Sequence, residues 1–479
     1  MPLGLAFFAL GVDERNAKPP QMAPAPMSIH NQPHRVPTHC VVGGAHAFIL
    51  KVSSFFGLAP LHFESNENGF TVTVSNAMCI YSFTLVSILM ISTVCGLVAE
   101  INVGVERSVR MSSRMSQVVS ACDVLVVVAS AAVGVYGAPA RMRSMLKFID
   151  KVSAVDNSIS AQYSAVTERK LCALLASILI FFTVLLVDDF CFYVLQAKKI
   201  ERHWEVVVNY LGFYLLWYVV MIQELQFAFT ALSIYARFRA LNDTLAVTAR
   251  KVSVPYEEKA RRPTPLNIFA IRVSPSNIQQ VEDVSLLMDT MPKKHHTVIV
   301  RKNGGGEARL VVPVCEAVAA LAGLHGTLCE VIHRVDASYG APLVVILIST
   351  LLHLIVTPYF LIMEFILSRT HRVHFLVLQF LWCATHMLRM FIVVEPSHYT
   401  IVEGMRTEGL VCRLMTHAAG AGGGALPARV ELFSRQLVLR SVGYSPMGMC
   451  VLDRPLVASI LGAVTTYLVI VIQFQRYDV

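Results

Sequence analysis

Gln379 and Trp382 stand three positions apart in an otherwise apolar run, so on a helix they share one face. An amide beside an indole suits a small neutral molecule: the amide takes hydroxyl groups, and the ring covers a C–H patch. Other polar and aromatic groups interrupt apolar runs elsewhere. Asp188 and Asp189 share one run, Trp217 lies in a second, and His353, Thr357 and Tyr359 lie in a third. Such side chains are costly in hydrocarbon and point to function by default. No nucleophile stands beside a base, and no Cys/His spacing suits a metal, so neither an enzyme nor a bound cofactor is expected. The 11 cysteines fall mostly inside apolar runs (Cys79, Cys95, Cys122, Cys172, Cys191, Cys383) and read as small buried hydrophobes. Gly304-Gly305-Gly306 lacks the Lys-Ser/Thr of a phosphate loop.

The elements that must carry these groups follow from composition. The chain has 479 residues, 55% apolar and only 15% charged, with a mean hydropathy of +0.58. A soluble domain carries about a quarter charged residues, so this chain cannot coat a globule. Seven apolar runs reach the ~20 residues needed to cross a bilayer as helix: 78–99, 118–137, 171–195, 206–234, 343–366, 375–394 and 455–474. None alternates like a barrel strand, which leaves helices. The net charge of +8 is dispersed between the runs and forms no basic stripe, so nucleic acid is not a partner. Leu3–Val12 is short and lacks a basic flank, so no signal peptide is expected.

The expected organisation is a disordered tail over 1–45, then a short helix and four spans to 240. A flexible basic loop over 241–309 follows, containing Lys293-Lys294-His295-His296. The helical spacing of Val314, Ala317, Leu321, Leu324, Leu328, Val331 and Ile332 extends the fifth helix back over 310–342. Spans five and six occupy 343–394, a loop and helix 395–454, and the last span 455–479.

Lys and Arg placement orients the chain. Thirty fall before the first span and in the second, fourth and sixth connections, against nine on the other side; without the long fourth connection the count is 16 to 9. The N-terminus is therefore expected in the cytoplasm and, after seven spans, the C-terminus outside. A G-protein-coupled receptor has the opposite orientation. The sequon Asn242-Asp243-Thr244 falls on the cytoplasmic side and should be silent. At ~1.5 Å per residue across ~30 Å of hydrocarbon, Asp188, Asp189, Thr357, Tyr359, Gln379 and Trp382 share an outer slab. His353 and Trp217 lie near mid-depth. Plainer roles stay open: Trp204 and Tyr210 suit interface anchors, Asp188 and Asp189 suit a span end, and His353, His386 and Arg389 suit interhelical bonds.

The last span ends Thr466-Tyr467-Leu468-Val469-Ile470-Val471-Ile472-Gln473-Phe474, which resembles the TYhhhhhQF signature of insect gustatory receptors. Leu452-Asp453-Arg454 before it, Gly57-Leu58-Ala59-Pro60, Arg237-Phe238 with Leu241-Asn242, and Leu324-His325 with Leu328-Cys329 agree with that family. The resemblance covers most of the chain from about residue 50. It implies a ligand-gated, non-selective cation channel of four subunits in the plasma membrane of sensory cells, with a pore lined by the seventh helix. Ser349–Phe360 and Gln379–Trp382 look most like the fructose-responsive sugar receptors.

Tyr467, Ile470, Gln473 and Phe474 are the pore and gate candidates. Four apolar side chains around an axis exclude ions by dewetting, and a ring of glutamines hydrates cations without selecting one. The expected partners are a sugar, permeating cations, lipid and identical subunits, alone or with other gustatory receptors. A bitter-type receptor is the nearest rival. A transporter, which would show an internal repeat and broken helices, is a more distant one.

Overall fold

The computed structural model describes residues 40–66, 69–104, 107–111, 114–159, 165–252, 299–302, 308–367, 373–419 and 425–477. Each apolar run forms a helix, because in lipid the backbone must satisfy its own hydrogen bonds. These are α2 (Asn76–Val103), α3 (Arg114–Tyr136), α5 (Ala165–Lys198), α6 (His203–Val252), α7 (Val314–Leu367), α8 (Val373–Ala419) and α10 (Arg454–Tyr477). Six are long and apolar enough to cross a membrane, and α10 contributes a shorter apolar stretch over Arg454–Ile470. Lipid-facing stripes are visible on α5, where Ile180, Val184 and Val187 are exposed at helical spacing while Phe182, Leu185 and Leu186 are buried.

Three helices far exceed a bilayer's thickness: α6 has 50 residues, α7 has 54 and α8 has 47. The second halves of α6 and α8 and the first half of α7 leave the apolar slab and pack with α4 (Ala138–Ser158) and α9 (Ala425–Leu439) into one core. The polar groups within it are paired. Arg237 of α6 donates to Asp156 of α4 at 2.7 Å, and burial pushes that carboxyl up while the guanidinium draws it back. Asn242 donates to Glu403 of α8 at 2.8 Å and accepts from Thr407 at 2.7 Å. His325 is buried between Phe238 and Phe433, and its pKa is lowered to about 4 by burial and by nearby Arg440. Most of the residues that carry the family resemblance upstream of the last span therefore hold this bundle together. Asn242 is engaged with α8, which is a structural reason for its sequon to be silent.

Two parts differ from expectation. Residues 138–158 were read only as connecting loop, yet they form α4, because Arg141, Met142, Met145, Leu146, Ile149 and Val152 present one buried face at helical spacing. Residues 40–45, expected within the tail, belong instead to a strand and the start of a helix. β1 (Cys40–Val42) joins β3 (Gly69–Val74), which also pairs with β2 (Leu61–Asn66), in an antiparallel sheet of order β1-β3-β2. Val42, Leu61 and Val72 of the sheet enter the α4 core, and α1 (Gly44–Phe55) packs on α5 and α6. Gly57 turns the chain after α1 with φ +78, a left-handed conformation in which a Cβ is costly. That turn sends the Leu58 carbonyl to Arg141 at 3.2 Å. Of the expected loop at 241–309, the described parts are the end of α6 and the strand pair β4 (Val300–Lys302) and β5 (Ala308–Leu310). Lys293–His296, Gly304–Gly306 and residues 1–39 lie outside the described residues.

At Gly96, α2 approaches α6 so closely that a Cβ would lie 2.1 Å from the Asn209 carbonyl oxygen. Gly96→Ala should therefore push the two helices apart and cost about 1–3 kcal/mol. The check is a fall in the thermal midpoint of the detergent-solubilised full chain. An unchanged midpoint would contradict so close a contact.

Candidate functional site

A cavity of about 530 Å³ lies among α3, α5, α6, α7 and α8. Each helix supplies polar or aromatic side chains: Ser120 and Asp123 from α3, Asp189 and Tyr193 from α5, and Tyr214 and Trp217 from α6. His353, Thr357 and Glu364 come from α7, Gln379, Trp382 and His386 from α8, and Arg110 from the α2–α3 connection.

Several of its charged groups are partnered within the wall, although Glu364 Oε1 has no hydrogen-bond partner among the described residues. Arg110 donates to Asp123 at 2.9 Å, and its guanidinium lies 4.9 Å from the Phe213 ring centre and 5.6 Å from that of Tyr193. The other Asp123 oxygen is 2.7 Å from His353 Nε2, while His353 Nδ1 is 2.5 Å from the Ser349 carbonyl. A carbonyl only accepts, so Nδ1 carries a hydrogen, and one proton must lie on the line between Nε2 and Asp123. Asp189 accepts from the Tyr214 hydroxyl and from Trp382.

Aromatic rings form the rest of the wall. Trp217 and Trp382 have ring centres 5.5 Å apart, and His386 stacks on Trp382 at 5.5 Å and on His353 at 4.8 Å. Among the described residues, the Gln379 amide and Thr357 hydroxyl have no hydrogen-bond partner. They are neutral groups free to meet a guest. The arrangement joins a paired Arg110–Asp123–His353 set, one carboxylate at Glu364, free neutral donors and acceptors, and broad ring faces.

Of the residues expected at the ligand site, Asp189, Trp217, His353, Thr357, Gln379 and Trp382 come together around this cavity. Asp188 does not: it is 45% exposed and sits 3.5 Å from His374. Adjacent helical residues point about 100° apart, so only one of the two aspartates can face inward. Tyr359 is buried beside Phe360 and is not in the cavity wall. Arg110 and Asp123 were missed. Asp123 carried a legible signal, an ionisable residue inside an apolar run. Arg110 carried none, since it reads as an ordinary loop charge.

The pore candidates lie elsewhere, on α10. Val457, Ile460 and Val464 pack against Leu354 of α7 and Met390 and Val394 of α8, and Arg454 donates to Glu395 at 3.0 Å, which holds that carboxyl below its ordinary range. Beyond this the helix is uncovered: Tyr467 is 52% exposed, Ile470 38%, and Gln473 is exposed as well. The Phe474 side chain lies outside the described residues.

A family model described as 7tm chemosensory receptor matches residues 46–477. The "Gustatory receptor for sugar taste 43a" of Drosophila melanogaster is 29% identical over 447 residues, which are 89% of this chain and 97% of that protein. In fold, the chain is similar to the insect olfactory receptor OR5 of Machilis hrabei in complex with eugenol. The TM-score is 0.56 at 10% identity, covering 89% of this chain and 97% of the receptor. A second structure of that receptor gives a TM-score of 0.51 at 10% identity, covering 90% and 97%. The chain belongs to the seven-transmembrane chemosensory receptor family and stands with its gustatory receptors. It is a membrane receptor and not an enzyme.

The two adjacent aspartates separate a ligand role from a span-end role. Asp189→Asn should raise the agonist concentration for half-maximal response about tenfold, as expected for weakening a hydrogen bond to a charged group. Asp188→Asn should leave it unchanged. Concentration–response curves at matched surface abundance make the comparison, and equal effects at both positions would remove Asp189 from the site.

Proposed function

We propose that this gustatory receptor is a cation channel opened by a sugar, D-fructose being the first candidate, bound in the cavity between α3 and α8. The observation that carries the reading is the state of the wall: Arg110 and His353 are both turned onto Asp123, and Gln379 and Thr357 offer unpaired neutral groups beside the Glu364 carboxylate. A neutral polyol has no charge to grip. It needs several directed hydrogen bonds and a flat ring face, here Trp217 and Trp382. The sugar-taste relative in Drosophila supports the same ligand class.

From Thr465 to Ile470 α10 is largely exposed and, after its two threonines, apolar, and Gln473 beyond is exposed too, as a helix meeting identical neighbours around an axis would be. In this account four copies assemble in the plasma membrane of a sensory cell with the N-terminus inside. Tyr467, Ile470, Gln473 and Phe474 line the pore. Ligand binding shifts α7 and α8, and the cluster they share with α10 carries the movement to the gate. A bitter-type receptor remains the second reading, supported by the apolar and aromatic share of the same wall.

Whole-cell recording from cells expressing the chain alone, with a panel of sugars and bitter compounds, tests the proposal. D-fructose should evoke a cation current. Trp382→Ala and Gln379→Ala should abolish it at unchanged surface abundance. A current evoked only by bitter compounds would select the second reading, and surface labelling of an N-terminal tag on intact cells would overturn the orientation.

A further inference from the structure

Behind the cavity, and not in its wall, lies a second buried charge pair. Arg389 of α8 reaches Glu224 of α6 through Nε at 3.0 Å and Nη2 at 2.6 Å, and both side chains are 0% exposed. Two ions so far from water are expensive, and a hydrophobic pair would cross-link the helices more cheaply. Such a pair calls for a task beyond cohesion. Arg389 has one further described contact with a titratable ring: Nη1 donates to His386 Nδ1 at 3.3 Å. A guanidinium has no acceptor, so Nδ1 must be the accepting nitrogen. His386 is then neutral and carries its hydrogen on Nε2. The ring borders the cavity between His353 and Trp382, and among the described residues no group takes a hydrogen bond from Nε2.

We propose that Glu224 is a positioning residue for the ligand site: by clamping Arg389 it fixes His386 as an Nε2–H donor available to a ligand oxygen. The Trp217 face, 4.6 Å from the guanidinium, closes the clamp from the other side. Without the carboxylate, Arg389 loses the partner that sets its plane. His386 Nδ1 then loses its fixed donor, and the two neutral tautomers compete. The task goes beyond the sugar reading but rests on the cavity being the ligand site. It also connects the site to the seventh helix, since the next residue on α8, Met390, packs in the cluster that α10 joins.

Two measurements on the full-length receptor test this. In reconstituted membranes without ligand, 15N-histidine spectra should show His386, assigned by difference with His386→Phe, as the Nε2–H tautomer, and Glu224→Gln should mix the two forms. In cells, Glu224→Gln should raise the D-fructose midpoint about fivefold, the loss of one modest hydrogen bond, with the maximal current per surface receptor retained. Glu224→Asp should stay close to the parent. Should Glu224→Gln not reach the surface, Arg389→Lys replaces it, because an ammonium lacks the planar fork that reaches carboxylate and imidazole together. A parent His386 protonated on Nδ1 overturns the proposal, and so does a variant that loses surface abundance while keeping its midpoint. If D-fructose evokes no current in the parent, the sugar reading falls, and the spectra alone decide on Glu224.

Discussion

A charge buried in a bilayer has to find its opposite inside the protein, and this constraint organises the cavity half of the receptor. Arg110 and His353 converge on Asp123, Tyr214 and Trp382 donate to Asp189, and Glu224 holds Arg389. These ties run between different elements, so the same contacts that partner the charged groups also fix the spacing of α3, α5, α6, α7 and α8. The cavity is the space left between them. Its chemistry follows: Asp123 is taken up by Arg110 and His353, and a guest meets amide, hydroxyl and aromatic faces with the Glu364 carboxylate among them. A neutral, hydroxyl-rich molecule is the complement of such a surface.

The long helices give the cavity a mechanical connection to the rest of the chain. α6, α7 and α8 are continuous from the cavity into the α4–α9 bundle, where Arg237, Asn242 and Glu403 hold their other halves together. A rigid helix anchored at one end responds to a push near the other by pivoting. Pro342 and Pro358 interrupt the backbone bonding of α7, and Pro396 that of α8, so bends are available within them. Among the described residues, α10 packs chiefly on α7 and α8, through Val457, Ile460 and Val464. In the proposed channel that contact is the route from ligand to pore.

Much of this was legible in the sequence, because a bilayer leaves few choices. Apolar length gave each span, and depth arithmetic placed Asp189, Gln379 and Trp382 in one slab. What depth could not supply was azimuth. Asp188 and Asp189 share a depth but differ by about 100° around the helix, and only packing shows which faces inward. Tyr359 failed for the same reason. α4 and the β1-β3-β2 sheet went unread because their signal is an amphipathic face or a short alternation, both faint beside seven long apolar runs. Arg110 and Glu224 were invisible for a different reason. Each is meaningful only through a partner more than ten residues away, and composition and spacing do not report pairing.

The central claim is that a cavity lined by free amide and hydroxyl groups and by aromatic faces takes a neutral polyol. Calorimetric titration of the purified full-length receptor with D-fructose, and with an aromatic organic cation small enough for the cavity, addresses it directly. The account predicts saturable heat with the sugar, lost when Trp382 is replaced by Ala, and none with the cation. Saturable binding of the cation with no heat from any sugar would contradict it.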